Sequence, residues 1–206
     1  ANNMVKAYGK AIELYYTDNA DIYYNTLINT YTSSGTSNGT LYINSSSEMN
    51  VKNNIITNTS GGRLVYKWSG SSITFDYNMY YGGSTDFGFY HHNPSVNGNF
   101  TSWQAAGFDA NGVLQDPGFY EYGDGFHLGA GNSLGTPLTE VTTDFDNEPR
   151  DETTPDIGAD EYLAPNYDGI VEVPGEITTI QGAIDIAVSG DSIKVAAGTY
   201  TENINF

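Results

Sequence analysis

Hydrophobic and polar residues alternate in three stretches of the first eighty residues, and the stretches can be laid over one another. They read "AIELYYTDNADIYYNTLIN" from Ala11, "TLYINSSSEMNVKNNIITN" from Thr40 and "RLVYKWSGSSITFDYNMY" from Arg63. Each opens with an alternating apolar pair (Ile12 and Leu14, Leu41 and Ile43, Leu64 and Tyr66), passes through a polar turn, and resumes at Ile22, Val51 or Ile73. Three residues further on stands Asn25, Asn54 or Asp76. Period two marks strands with one face turned inward, and polar turns of different length account for the unequal repeats. A repeat of roughly 20–30 residues cannot bury its inner face alone, whereas repeats stacked about 4.8 Å apart share one core. The pattern predicts an all-β solenoid over residues 1–83, with Asn25, Asn54 and Asp76 stacked as a ladder of side-chain hydrogen bonds. A β-sandwich is the competing fold, but it calls for Asn-Gly-type hairpin turns, and the turns here read "TDNAD" and "SSSEM".

Composition agrees with short strands. Of 206 residues, 38% are hydrophobic, enough for a core, and the 24 glycines and 17 tyrosines suit strands and tight turns better than long helices. Seven basic against 25 acidic residues give a net charge of −18, which repels phosphate backbones and anionic membranes and so excludes a nucleic-acid partner. Without cysteine there is neither a disulfide framework nor a cysteine zinc site. No apolar run approaches the ~18 residues of a spanning helix, so no membrane insertion is expected. The N-terminus "ANNMVKAYGK" is no signal peptide, which leaves any secretion signal outside this sequence. Sequons begin at Asn38, Asn44, Asn58 and Asn99, as so Asn-rich a chain produces by composition alone.

Residues 84–162 are rich in Gly, Phe and Tyr and less regular. An exposed end rung carries unpaired N–H and C=O groups, so this stretch is expected to plug it. Arg150 lies among Asp144, Asp146, Asp151, Asp156, Asp160 and Glu161. A guanidinium bridges carboxylates in a fixed fork, which makes Arg150 a structural clamp in the favoured reading. The sharper reading is a Ca²⁺ site drawn from Asp144, Asp146, Asp156, Asp160 and Glu161, although the spacing is not that of an EF-hand. His91 and His92 are adjacent in a loop, where neighbours point apart and a shared metal is disfavoured. Trp68, Trp103 and Tyr15, Tyr16, Tyr23, Tyr24, Tyr66, Tyr80 and Tyr81 either stack on sugars or, as favoured, line the core and faces of the solenoid.

Residues 163–176, with three prolines in "LAPNYDGIVEVPGE", read as a linker. In 177–206 a new pattern starts. Ile180, Ala183, Ile184, Ala187 and Val188 recur at helical spacing, Thr178 and Gln181 suggest a capping box, and Gly190 a stop. Ile193 with Val195, and Ile204 with Phe206, then alternate as strands.

The rungs "NADIYYNTLIN", "EMNVKNNIITN" and "SSITFDYNMYY", followed by "DPGFYEYGDGFHLGAGNSLG" and "DFDNEPRDETTPDIGADEY", resemble the right-handed parallel β-helix, or pectin-lyase-like, superfamily in its secreted bacterial repeat branch. The last two of these stretches together are similar to that family's way of closing. Asn147-Glu148 departs from its usual Gly-Asn. The stretch "TTIQGAIDIAVSGDSIKVAAGTYTEN" resembles the family's N-terminal cap and first rung. The resemblance implies the end of one β-helix followed by the start of another, at the cell surface or outside the cell.

Three functions follow as expectations. The favoured one is a structural, fibre-forming repeat whose partners are copies of itself or neighbouring β-helical domains. The second is a carbohydrate-binding adhesin, marked by an exposed aromatic stripe. The third is a polysaccharide lyase or hydrolase, for which Lys52, Arg63 and Lys67 on neighbouring rungs are the catalytic candidates. Lyase chemistry needs a base and a cation beside the substrate carboxylate, and the acidic background repels an acidic polymer.

Overall fold

The computed structural model describes residues 1–32, 39–82, 87–90, 98–119, 127–162, 170–175, 177–187 and 191–205. Strands β1 (Met4–Ala7), β2 (Ile12–Tyr15), β3 (Asp21–Tyr23), β4 (Thr26–Asn29), β5 (Leu41–Asn44), β6 (Met49–Lys52), β7 (Ile55–Asn58), β8 (Val65–Lys67), β9 (Ile73–Asp76), β10 (Met79–Gly82) and β11 (Gly88–Tyr90) precede helix α1 (Phe100–Ala105) and β12 (Val113–Leu114). They form three sheets: a first of order β1-β4-β7-β10-β12, a second of order β2-β5-β8-β11 and a third of order β3-β6-β9. Every pairing within them is parallel. From β1 to β11 the chain visits first, second and third sheet in unbroken rotation, so each coil adds one strand to each sheet. The result is β-solenoid-like, dominated by parallel strands with few and short helices.

Period two holds. Val5, Leu27, Ile56 and Tyr80 are in register in the first sheet, Ile12, Leu41 and Val65 in the second, and Ile22, Val51 and Phe75 in the third. All belong to one core, whose buried members are close to fully inaccessible.

The sequence alignment was right in kind and wrong in register at the third repeat. Leu41 and Ile43 pair with Val65 and Lys67, not with Leu64 and Tyr66. A one-residue slip exchanges the faces of a strand, so Tyr66 lies on the outer face and Lys67 on the inner one. Similarly, Val51 pairs with Phe75, which places Asn78 and not Asp76 beneath Asn54. This slip is of two residues and preserves the in-out parity, so alternation alone could not detect it.

The corrected ladder runs through five rungs. Asn3 Nδ2 donates to Asn25 Oδ1 at 2.7 Å, Asn25 Nδ2 to Asn54 Oδ1 at 2.8 Å, Asn54 Nδ2 to Asn78 Oδ1 at 2.9 Å, and Asn78 Nδ2 to Asp109 Oδ2 at 2.8 Å. The residue before each asparagine, Asn2, Tyr24, Asn53 or Tyr77, is left-handed with φ of 50–56°. Such a φ costs a tyrosine roughly 1–2 kcal/mol, and the ladder bonds at the same corner offset it. Asp109 has only acceptors when ionised, so it terminates the ladder; burial pushes its carboxyl up to about 6 against the bonds from Tyr80 and Asn78. Asp76 instead accepts from the Asn111 amide at 3.0 Å.

The two ends of the stack differ. Among the described residues β1, β2 and β3 are the edge strands at one end and β12, β11 and β9 those at the other, where Asp109 N bonds Phe75 O and Gly98 exchanges bonds with Phe87 and Gly88. There α1 closes the bore. Asn99 caps it by accepting from Ser102 N, and Trp103 packs against Phe75, Phe87 and Phe108 at 5.1, 6.0 and 4.5 Å between ring centroids.

The remaining elements are β13 (Ile170–Val173), α2 (Ile180–Ile186) and β14 (Ser192–Val195), with a small core of Val171, Val173 and Ala183. β13 pairs with β14 in parallel, so part of the expected 163–176 linker is a strand; the alternation of Val171 and Val173 was hidden among prolines. The cap of α2 is Thr179, whose hydroxyl accepts from Gly182 N at 3.1 Å, not Thr178. Glu202 takes the Ile180 and Gln181 N–H groups at 3.0 and 2.8 Å, the anion at a helix start that frees Gln181 from a capping role. Ile204 is not in a strand; Gly190 and Phe206 lie outside the described residues, as do His91, His92 and Asn38. Among the described residues no helix is long and apolar enough to cross a membrane.

Candidate functional site

The first sheet is apolar on both faces. Ile55, Met79 and Val113 are in register on its outer side, and with Leu128, Ile157, Phe119 and Tyr162 they form a second core. The closing segment covers this flank. Of the 84–162 stretch, α1 packs over the end of the stack, as the sequence suggested, whereas residues 127–162 run back along the side of the rungs. Thr136 bonds Asn53 and Tyr24, Thr143 accepts from Asn2 Nδ2 at 2.7 Å, the chain turns at Asp144–Glu148, and Ala159 N returns to Thr26 Oγ1 at 3.0 Å. At the turn Asn147 adopts φ 67°, the left-handed geometry that Asn tolerates best after glycine.

"DIGADEY" is the inner limb of this clasp. Gly158 has φ +114°, and a Cβ there would lie 2.6 Å from Ile55 Cδ1, so only glycine lets the limb reach the sheet. Arg150 locks it. Its guanidinium sits 3.8 Å from the Tyr24 ring centroid and donates to Glu161 Oε2 at 3.2 Å, Asn2 Oδ1 at 3.0 Å, and the carbonyls of Asp156, Gly158 and Ala159 at 3.4, 3.0 and 3.1 Å. Burial pushes the guanidinium pKa down and the Glu161 carboxyl up, while the charge of each counteracts the shift in the other.

The acids proposed for Ca²⁺ do not converge as a set of five. Asp144 accepts from the Asp146, Glu148 and Glu161 N–H groups, Asp156 from those of Asn132, Ser133 and Tyr162, and Glu161 from those of Asp151 and Asp156. Their lone pairs hold irregular backbone in shape, the role that sheet ladders play elsewhere. Only Asp146 and Asp160 meet, and they do so across His127, which the sequence reading passed over.

The lyase candidates also stay apart. Lys67 points inward with 2% exposure and donates to Gly70 O at 3.0 Å; burial pushes its ammonium down to about 8. Arg63 is buried, and Lys52 lies on the third sheet.

An aromatic stripe does run down the outer face of the second sheet. Tyr42 and Tyr66 stack 4.8 Å apart with planes 5° from parallel, flanked by Tyr15 at 5.4 Å from Tyr42 and Trp68 at 6.2 Å from Tyr66. Because these rings stack on one another and Tyr42 and Tyr66 are buried, their faces are already occupied, and this is a ladder before it is a sugar platform. Trp103, on the inner side of α1, is wholly buried as a core residue. Of the sequon asparagines, Asn58 is buried with its Oδ1 accepting from Ser60 and Gly62 N–H groups, and Asn99 is a helix cap.

No family model, curated protein or solved structure matches the chain.

Proposed function

We propose that the chain is a structural module of an extracellular repeat protein: the closing part of a right-handed, pectin-lyase-like parallel β-helix, with 170–205 starting a further one. The asymmetry of the stack carries this reading. At one end β1, β2 and β3 have a strand neighbour on one side only among the described residues, whereas at the other the edges of β9 and β11 are bonded by Asp109 and Gly98 and the aromatic side chains of α1 pack over the core. Units of this kind are joined along the chain and not by stacking through the closed end. A carbohydrate-binding role retains the exposed Tyr15, Tyr16 and Trp68, while catalysis lacks a convergent set of groups among the described residues.

With the β9–β11–β12 end covered by α1 and the segment that follows β9, association through the β1–β3 edge is expected to stop at two copies. Sedimentation velocity across a wide concentration range should show monomer and dimer only. Lys6 is the residue with which to block the edge. The Asn3 and Ala7 carbonyls accept from Thr26 and Thr30 on the β4 side, so by alternation the Lys6 N–H points away from β4. Lys6→Pro removes that donor without touching a paired one and should shift the population to monomer. Open-ended filaments, or a wild-type chain that stays monomeric throughout, would refute the proposal.

A further inference from the structure

We propose that His127, Asp146 and Asp160 bind one divalent transition ion of the zinc class and thereby tie the turn of the flank clasp to its inner limb. One ligand atom from each residue lies within 4.8 Å of the others. His127 Nδ1 is 3.0 Å from Asp160 Oδ1 and 3.5 Å from Asp146 Oδ2. Donors held about 2.0–2.1 Å from a tetrahedral ion stand about 3.3–3.5 Å apart, so the spacing needs only small side-chain movements.

The convergence is of three potential ligands on one point. Carboxylates from two separate stretches of the clasp, at Asp146 and Asp160, approach the same imidazole nitrogen. The site also has its outer support. Asp160, 6% exposed, has Oδ2 fixed by Leu128 N at 2.7 Å, which leaves Oδ1 directed at His127. Such second bonds orient metal ligands and raise their basicity. One imidazole with two carboxylates selects borderline ions such as Zn²⁺ over Ca²⁺, which takes 6–8 oxygens. The side chains of His127 and Asp146 are 37% and 46% exposed, so water can complete the coordination. The role is structural and independent of how copies associate.

Titration calorimetry of the untagged chain with ZnCl2 should give one site per chain, with CaCl2 binding far more weakly. His127→Gln should weaken zinc by more than the roughly ten-fold typical of losing an outer-shell partner. Asp146→Asn, at an exposed position, should do the same in a chain whose circular dichroism is unchanged. The double variant His91→Gln/His92→Gln should bind zinc like the wild type. Absence of a stoichiometric site, calcium binding as tight as zinc, equal zinc affinity in the His127 variant, or loss of zinc in the His91/His92 variant would each overturn the site.

Discussion

Arg150→Ala is expected to destabilise the chain by about 3–5 kcal/mol, the range for removing one partner of a buried ion pair. The loss is not confined to Glu161. The same guanidinium satisfies the carbonyls of Asp156, Gly158 and Ala159, binds Asn2 of the first rung and lies over the Tyr24 ring. Glu161 would be left buried beside Asp156, and the clasp would lose its tie to the stack. Denaturant unfolding should show the lowered midpoint, and hydrogen exchange should show lost protection along 150–161 before the inner core of the rungs opens. Arg150→Lys should rescue little, because an ammonium cannot span those acceptors as a planar fork does.

Asn54→Leu comes next, at about 3–5 kcal/mol. Asn54 is the middle of the ladder: its Oδ1 accepts from the Asn25 N–H and side-chain amide, and its Nδ2 donates to Asn78 Oδ1 and to the carbonyls of Ile22 and Lys52. Leucine fills a similar volume and leaves several of these buried groups without a partner, each costing about 1–3 kcal/mol before relaxation. The measured loss should clearly exceed that of Asp76→Ala, because Asp76 lies off the ladder at an exposed contact with Asn111. Equal losses at the two positions would restore the register read from the sequence.

That comparison marks where the sequence was legible. Period-two alternation identified the strands, because burial of one face imposes the period directly, and the repetition of the three segments pointed to their stacking and to an amide ladder. Register was harder, since a two-residue slip preserves every inward position, and at Lys67 a charged residue occupied an inward slot that alternation reserves for apolar ones. Aligning on Asn followed by apolar residues, as in Asn3-Met4-Val5, Asn25-Thr26-Leu27, Asn54-Ile55-Ile56 and Asn78-Met79-Tyr80, recovers the ladder. The same tetrad of strands held the clue to the clasp. Ile55-Ile56 and Met79-Tyr80 are apolar on consecutive positions, which requires cover on both faces of the sheet. The clasp itself is built of carboxylates bonded to backbone N–H groups many residues away, and contacts such as Asn132 with Asp156 leave no periodic trace. His127 was invisible for the same reason: its partners come from other stretches of the chain.

A cysteine-free chain allows the path of the clasp to be tested by a single cross-link. Asn2 Nδ2 reaches Thr143 O at 2.7 Å although 141 residues separate them, whereas Leu114 stands exposed near the closed end. In Asn2→Cys/Thr143→Cys, a short thiol-to-thiol cross-linker should join the two residues within one molecule, since their hydrogen bond holds them side by side. Leu114→Cys/Thr143→Cys should not be joined by it. Joining of the second pair in place of the first would show that the segment plugs the end of the stack, and the flank clasp would be wrong.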